Sequence, residues 1–224
     1  MNSENSPLDK LPDLRQNYQK NELRADKLRP NPRTQFALWF EDARACKQIP
    51  EPNAMTLSTS DAAGRVTARV VLLKGEDERG FHFFTNYQSE KAQQIISSPQ
   101  VALSFFWPAL ERQILIYGCA EKLPVAENKE YFASRPRGSQ LGAWTSQQSH
   151  ALENRNVLEE QLKAVTLRYE NKNVPCPPHW GGFCVCPEQI EFWQGRSDRL
   201  HDRFRYTRQG ANDRPAWKVK RLSP

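Results

Sequence analysis

The sequence predicts a mainly β protein, an antiparallel barrel with a few helices on its outside. In many short segments apolar residues recur at every second position, as in strands that bury one face. Turn residues separate these segments at short intervals, as in hairpins. Helical patterns are few and interrupt the strands only near the beginning and in the middle of the chain. Many hairpin-linked strands with peripheral helices are typical of an antiparallel barrel.

The first part of the chain differs in composition from the rest. Residues 1–30 combine Pro, Asn and mixed charges, which predicts a flexible arm, and residues 31–224 are predicted to form a single domain. After a breaker at residues 30–32, Thr34 can cap a helix that buries Phe36 and Trp39.

The remaining elements are predicted from their periodicity and from the turn residues between them. A helix is predicted over residues 89–98, with Ser89 at its N-cap, and further helices over 126–134, 138–144 and 153–170. The predicted strands share a period of two and span residues 54–60, 66–75, 81–86, 101–107, 112–123, 181–187, 189–195, 203–208 and 216–222.

Composition excludes several classes of protein. The longest apolar runs are too short to span a membrane, and the polar N-terminus has no signal-peptide core, so we expect a cytoplasmic protein. The net charge of +6 is spread along the chain, which argues against a nucleic-acid partner and favours a small anion such as phosphate. The glycine-rich patterns of Rossmann and P-loop sites are missing.

The cysteines do not predict a metal site. Of the five, Cys184 and Cys186 would share a face of a strand, but no second pair or histidine cluster completes a zinc site. We therefore expect reduced thiols and no metal.

The segment from Trp193 to Arg203 is unusually rich in groups that bind flat anionic ligands. Arginine is a rigid fork that pairs with anions and stacks on rings. Arg199, His201 and Arg203 are spaced two apart, so an extended chain would place them in one row. A solvated, salt-bridged strand end is the alternative interpretation.

Other candidates are weaker taken singly. A regular strand would put Arg69 and Lys74, five residues apart, on opposite faces, and both could be charges at the ends of a buried strand. Lys91 opens a predicted helix, whose free N–H groups suit phosphate. Gln113 lies among apolar residues and is either solvent-facing or bound to a polar ring edge.

Three residues spaced by four, Tyr131, Arg135 and Ser139, would share a helix face. Pro136 should interrupt that helix, which predicts a helix–turn–helix corner lined by a phenol, a guanidinium and a hydroxyl. Such a corner is a good phosphate cradle, although an amphipathic surface helix is the alternative.

Over about residues 12–224 the chain resembles the pyridoxamine/pyridoxine 5′-phosphate oxidases, because several family motifs occur in order. The resemblance implies an FMN-binding split barrel, assembled as a homodimer with FMN between the subunits. The motifs are RVVLLKG (69–75), FFTN (83–86), ERQ (111–113), YFASRPRGSQLGAW (131–144), SQQS (146–149), WGGF (180–183) and WQG…RLHDR (193–203).

The resemblance also implies residue roles. Arg199 and His201 would be catalytic and contact the substrate ring, and Gln148 and Ser149 would contact FMN from the partner subunit. The implied substrate-binding residues are Arg15, Tyr18, Lys74, Tyr131, Arg135, Ser139, Arg199 and His201. The implied FMN-binding residues are Arg69, Val70, Val71, Leu72, Lys74, Phe84, Thr85, Lys91, Gln113, Gln148, Ser149, Trp193 and Arg203.

One position departs from the family pattern. Glu90 stands where the family usually has arginine, so either its carboxylate turns away from the phosphate or FMN binds more weakly. The implied reaction is the oxidation of pyridoxine 5′-phosphate or pyridoxamine 5′-phosphate to pyridoxal 5′-phosphate by O₂, with release of H₂O₂ and, from the amine, NH₃. The alternative is a non-catalytic carrier of FMN or pyridoxal 5′-phosphate on the same barrel.

Overall fold

The computed structural model describes residues 11, 14, 16–210 and 216–224. One antiparallel sheet dominates it, in the order β2-β1-β5-β6-β7-β4-β3, with β8 and β9 branching from β7. The strands are β1 (Ala54–Ser60), β2 (Val66–Leu72), β3 (Gly75–Glu76), β4 (Phe81–Asn86), β5 (Gln100–Trp107), β6 (Arg112–Lys122), β7 (Trp180–Gln194), β8 (Asp202–Gln209) and β9 (Ala216–Leu222).

The long strand β7 is the point at which the sheet divides. Its first half pairs with β4 and its second half with β8, while β6 follows it along both halves. The sequence predicted two strands here, and this was wrong. Pro187 caused the error, because a proline usually ends a strand, but it lies at the irregularity beside Gly118 where β7 changes partners. A side chain at Gly118 would collide with the carbonyl oxygen of Cys186.

The barrel encloses an aromatic core that alternate positions of the strands supply. Phe83, Phe105, Ile114 and Phe192 are among its fully buried members. A smaller apolar cluster around Phe132 lies outside the barrel, beneath the helices.

Five α-helices lie within the described part of the chain. The first helix begins at Pro32, and its N-cap is Asn31 rather than the predicted Thr34. The side chain of Asn31 accepts a hydrogen bond from the backbone N–H of Arg33. A proline fits the first helical position because its fixed φ is helical and its missing N–H is not needed there. The helices are α1 (Pro32–Ala45), α2 (Glu90–Ser97), α3 (Val125–Ser134), α4 (Arg137–Thr145) and α5 (Arg155–Arg168).

Part of the predicted N-terminal arm is fixed on the barrel. Leu23 is buried in the core, and its backbone N–H donates to Asp202 Oδ2 at 3.0 Å. The hydroxyl of Tyr206 donates to the carbonyl oxygen of Arg29 at 2.7 Å. The expectation of a free arm up to residue 30 therefore does not hold for residues 23–29.

Across residues 11, 14, 16–210 and 216–224, no helix is both long and apolar enough to cross a membrane. The same residues contain no cluster of histidine, cysteine and acidic side chains that could hold a metal ion. All five cysteines are free thiols, as expected.

Candidate active site

A cavity of about 670 Å³ lies between β2, β4 and the helices α3 and α4. Four cationic side chains reach it, and its described lining contains no aspartate or glutamate. The cavity is therefore a site of positive charge bounded by apolar walls, which suits an anionic ligand with a flat ring. Its lining consists of Arg69, Val70, Val71, Leu72, Lys74, Phe84, Thr85, Asn86, Lys91, Tyr131, Arg135, Ser139, Gly142, Ala143, Ser146, Gln148 and Trp180.

Arg69 and Lys74 both line this cavity, so the prediction that they lie on opposite faces was wrong. The regular strand assumed in that prediction ends at Leu72. Leu73 N–H still donates to Asn53 O, directly before β1, whereas Lys74 N–H donates to His82 O of β4, both at 2.8 Å. This change of direction returns Lys74 to the side of Arg69.

Lys91 lies in the first turn of α2 and is almost fully buried. Its Nζ is 3.1 Å from Gln148 Oε1 and 3.4 Å from the hydroxyls of Thr85 and Ser89. Burial, followed by the nearby charge of Arg69, lowers the pKa of Lys91. Two cations held this close together without a carboxylate among the cavity's lining residues would be stabilised by a bound dianion such as phosphate.

Arg135 lies at the predicted corner between α3 and α4, which end and begin on either side of Pro136. Its guanidinium lies 4.6 Å from the ring centre of Trp180, and its Nη1 is buried with no hydrogen-bond partner among the described residues. Burial lowers the pKa of Arg135. Tyr131 stacks on Phe84 with 3.9 Å between ring centres. A buried guanidinium N–H without a partner fits a phosphate oxygen as its missing acceptor.

The C-terminal segment forms a second group, whose residues are not in the described lining of the cavity. Trp193 lies between Gln113 and Arg203 in the register of β6, β7 and β8. The ring of His201 is 4.6 Å from that of Trp193, and the ring of Tyr18 lies 5.8 Å from it. We use the name C-terminal group for six residues: Tyr18, Gln113, Trp193, Arg199, His201 and Arg203.

The predicted row of Arg199, His201 and Arg203 does not form. Arg199 ends a short 3₁₀ turn with φ 61°, after Asp198 with φ 54°, and β8 begins only at Asp202. Two successive left-handed residues reverse the chain, so the two-residue period of a strand does not extend back to Arg199. Arg199 projects as an exposed side chain from this turn.

His201 is held in one tautomer. Its Nδ1 accepts a hydrogen bond from the backbone N–H of Arg196 at 3.1 Å, so the neutral ring carries its proton on Nε2. Burial lowers the pKa of His201, and the charges of Arg199 and Arg203 lower it further. The ring can therefore donate one hydrogen bond from Nε2 near neutral pH.

Most arginines of this region are paired with buried acids. Arg203 Nη2 lies 2.7 Å from Glu191 Oε1, and Arg205 binds the second oxygen of the same carboxylate. Asp202 likewise accepts from Arg196 and Arg221 at 3.2 Å each. The pairs fix the geometry of this strand face, whereas Arg199 is exposed in the turn before β8.

The structure thus brings together only some of the predicted site residues within one chain. Gln148, which the resemblance assigns to the cofactor of a partner, lines the same cavity as Arg69. Ser149, with φ 72°, is outside that lining, and Arg15 lies outside the described residues. The predicted residues that are absent from the lining are Tyr18, Gln113, Ser149, Trp193, Arg199, His201 and Arg203.

Sequence reasoning missed several lining residues. The glycines at 181 and 182, directly after Trp180, were a sequence signal for close packing at this position. A Cβ at Gly182 would lie 2.8 Å from the Phe84 ring, so the glycine permits a close approach of that ring. The other four lie within the family motifs at residues 83–86, 131–144 and 146–149, and those motifs were the signal that could have found them. The missed residues are Asn86, Gly142, Ala143, Ser146 and Trp180.

Comparison with known families matches this architecture. Residues 41–169 match the family described as pyridoxamine 5′-phosphate oxidase, and residues 180–224 match the pyridoxine 5′-phosphate oxidase C-terminal dimerisation region. The chain belongs to the pyridoxamine 5′-phosphate oxidase family. Pyridoxine/pyridoxamine 5′-phosphate oxidases from Burkholderia thailandensis and Burkholderia pseudomallei are each 51% identical over 214 residues, 96% of this chain and 99% of theirs.

Solved structures agree with the family assignment. PhzG from Burkholderia lata 383, in complex with tetrahydrophenazine-1-carboxylic acid, is 29% identical, has a TM-score of 0.83 and covers 91% of this chain and 98% of its own. An FMN-binding protein related to pyridoxamine 5′-phosphate oxidase from Nostoc punctiforme, 17% identical, has a TM-score of 0.68 and covers 88% of this chain and 100% of its own. The family and the split-barrel fold expected from the sequence are therefore confirmed.

Proposed function

We propose that this chain is the oxidase that converts pyridoxine 5′-phosphate or pyridoxamine 5′-phosphate into pyridoxal 5′-phosphate. FMN is its cofactor and O₂ its electron acceptor. The alcohol and one O₂ give pyridoxal 5′-phosphate and H₂O₂, and the amine also takes up one water and releases NH₃. The cavity carries this proposal, since four cationic side chains and no aspartate or glutamate are among the described residues that line its volume of about 670 Å³.

The residues present fit the phosphate of FMN at one end of the cavity. Arg69 and Lys91 would hold it, because they are close, cationic and free of carboxylate partners within the described lining. The partnerless Nη1 of Arg135, with Lys74, Tyr131 and the hydroxyl of Ser139, would hold the phosphate of the substrate at the other end. When bound, FMN supplies the two-electron chemistry between the substrate and O₂.

The C-terminal group would act on the substrate ring. Arg199 is the exposed cation that can cover one face of the ring, since guanidinium stacks on flat rings. His201 would donate from Nε2 to an oxygen substituent of the ring, because its Nδ1 already accepts from Arg196. Tyr18 lies beside both the indole and the imidazole, so the arm would exclude water from the ring.

A homodimer would bring the two groups together. No residue of the C-terminal group is in the described lining of the cavity, and the second family match is a dimerisation region that includes Trp193 and His201. We propose that the cavity of one subunit is completed by the C-terminal group of the other, with FMN at the interface. The pairing of Gln113, Trp193 and Arg203 across three strands gives that surface a polar row.

The relationship to PhzG raises a second candidate substrate, a phenazine carboxylic acid, which has no phosphate. The corner at Arg135 argues against it, since a phenol, a guanidinium and a hydroxyl together suit a phosphate dianion. The carrier alternative would not need the ring-binding residues Arg199 and His201.

The test is the visible absorption of the purified protein during anaerobic addition of each compound. We expect a flavin band that bleaches with pyridoxine 5′-phosphate and not with its dephosphorylated form, pyridoxine, or with a tetrahydrophenazine carboxylic acid. A flavin band that persists in all three would support the carrier, and bleaching by the phenazine alone would overturn the proposed substrate. The O₂ role is checked by H₂O₂ formed on readmission of air.

A further inference from the structure

A chain of polar side chains connects the first turn of α2 to the cavity. Arg69 donates through Nη1 to Thr59 Oγ1 at 2.6 Å and through Nη2 to Thr67 Oγ1. Both threonine hydroxyls donate in turn to Gln94 Oε1, from Thr67 at 2.8 Å. Gln94 Nε2 donates to Glu90 Oε1 at 3.3 Å. These hydrogen bonds thus connect the exposed carboxylate of Glu90 to the guanidinium of Arg69, which lines the cavity.

The direction of these hydrogen bonds is fixed throughout. A hydroxyl has one proton, so a threonine that donates to Gln94 can only accept from Arg69. The amide of Gln94 must therefore present its oxygen to both threonines. The carboxylate of Glu90 fixes that orientation by accepting a hydrogen bond from the amide N–H of Gln94. Without an acceptor at position 90, the Gln94 amide would lose the hydrogen bond that favours the orientation with its oxygen toward the two threonine hydroxyls.

This series of hydrogen bonds holds the guanidinium of Arg69 in place without neutralising its charge. Thr59 and Gln94 are 2% and 6% exposed, so their orientation is maintained by the packing of β1 and α2. The acceptors that Arg69 contacts are two hydroxyls and the carbonyl oxygen of Leu57, all uncharged. Neutral acceptors orient the guanidinium, and the carboxylate of Glu90 makes no hydrogen bond to it. Burial lowers the pKa of Arg69, and the charge of Glu90 partly opposes that shift through space.

We propose that Gln94 is a positioning residue for the phosphate of FMN, that it acts through Thr59, Thr67 and Arg69, and that Glu90 holds it in the required orientation. This inference rests on the proposed function. It gives Glu90, which departs from the family's usual arginine, a role in phosphate binding that does not require contact with the ligand. The carboxylate turns toward Gln94 along its own helix.

The test compares the affinity of the apoprotein for FMN and for riboflavin, which lacks the phosphate. Flavin fluorescence quenching gives both dissociation constants, and their ratio isolates the phosphate contribution. Thr59→Val removes the hydroxyl at constant volume and Thr59→Ser keeps it. We expect Thr59→Val and Gln94→Met each to weaken FMN binding about tenfold, as for one hydrogen bond to a charged group, with riboflavin binding unchanged. Thr59→Ser should retain the ratio of the unmodified protein.

Position 90 provides a charge-matched pair. Glu90→Gln and Glu90→Ala both remove the negative charge, but only the glutamine keeps an acceptor for Gln94. We expect Glu90→Ala to bind FMN about threefold more weakly than Glu90→Gln, because the loss of one partly exposed hydrogen bond is smaller than that of a buried one. Equal ratios in the two variants would show that charge alone matters at position 90 and would overturn the role of Glu90.

The outcomes separate this inference from the proposed function. If the unmodified protein fails to bind FMN, the proposed function and the inference both fall. If it binds FMN and the ratio is unchanged in Thr59→Val and Gln94→Met, only the inference is overturned. A parallel loss of riboflavin and FMN affinity would assign these residues a purely structural role and would also overturn it.

Discussion

The cavity and the C-terminal group use arginine in opposite ways. In the cavity, Arg69 and Arg135 are held by neutral hydroxyls or by an aromatic face, and the described lining contains no acid. In the C-terminal group, Arg203 and its neighbour Arg205 share the buried carboxylate of Glu191. The first arrangement preserves charge for a ligand, whereas the second uses charge to build a rigid surface.

This difference separates two tasks. A phosphate dianion needs cations that no protein carboxylate has already neutralised, at the cost of some repulsion within the free protein. A ring that must be placed at reacting distance needs side chains whose geometry is fixed before it arrives. His201 illustrates the second case, since the backbone of Arg196 sets its tautomer. Arg199 is the exception, an exposed cation in the fixed group.

The largest effect should separate Arg199 from Arg135. We expect Arg199→Ala to lower kcat/KM about a hundredfold or more through kcat, because it removes a contact with the reacting ring. Arg135→Ala should act mainly on KM for the phosphorylated substrate, because it removes uniform binding of the phosphate. Steady-state kinetics with both substrates checks this, with FMN content measured in each variant.

Two controls make this contrast decisive. The exposed residue Arg155, in α5, provides a matched arginine-to-alanine change away from both groups. If Arg199→Ala changed KM alone while Arg135→Ala changed kcat alone, the assignment of the two groups would be reversed.

The next effect concerns the stability of the C-terminal group. Glu191 is 2% exposed and binds two arginines, so Glu191→Gln leaves two cations without a counter-charge. We expect a loss of about 2 kcal/mol in the free energy of unfolding, less than for a fully buried pair because both arginines are partly exposed. Denaturant unfolding of the apoprotein measures it, with Glu153→Gln, at an exposed glutamate, as control. A difference below about 0.5 kcal/mol, the range of surface changes, would mean that the pairs do not stabilise this surface.

The same contrast explains which features the sequence predicted. The alternation that predicts β1, β5 and β6 is a local consequence of burying one face of each strand, so these elements appear almost as expected. The corner at Pro136 is also local, because proline cannot continue the helix. The resemblance to the family motifs predicted most of the cavity residues, and the structure shows that they line the same cavity.

The errors arise where the chain changes partners. Lys74 joins Arg69 because the backbone leaves the β1 segment for β4 after Leu73, and Pro187 is tolerated within β7 because the partner strand changes beside it. The left-handed turn at Arg199 lacks the glycine that usually marks such a turn. The position of Lys74, the proline within β7 and the turn at Arg199 depend on how distant segments pair. The periodicity of one segment carries no information about that pairing.

The smallest predicted effect is a shift in the titration of His201. Burial and the charges of Arg199 and Arg203 lower its pKa, so its midpoint should lie below that of an exposed histidine. Because the folded protein disfavours the charged ring, protonation should lower stability as the pH falls from the histidine's unfolded pKa toward its folded pKa. Protonation of the folded ring also places an N–H on Nδ1, facing the backbone N–H of Arg196, so kcat/KM should fall as the pH drops through the folded pKa of His201.

NMR titration of the imidazole signals measures this midpoint, and His201→Asn assigns the resonance among the four histidines. Arg199→Ala removes one of the two neighbouring charges and should move the midpoint upward by a few tenths of a pH unit, as expected for an exposed charge screened by solvent. Arg155→Ala, in α5, should leave it unchanged. A midpoint that stays in place in Arg199→Ala would mean that the exposed guanidinium points away from the imidazole, and Arg199 and His201 would then not act on the same ring.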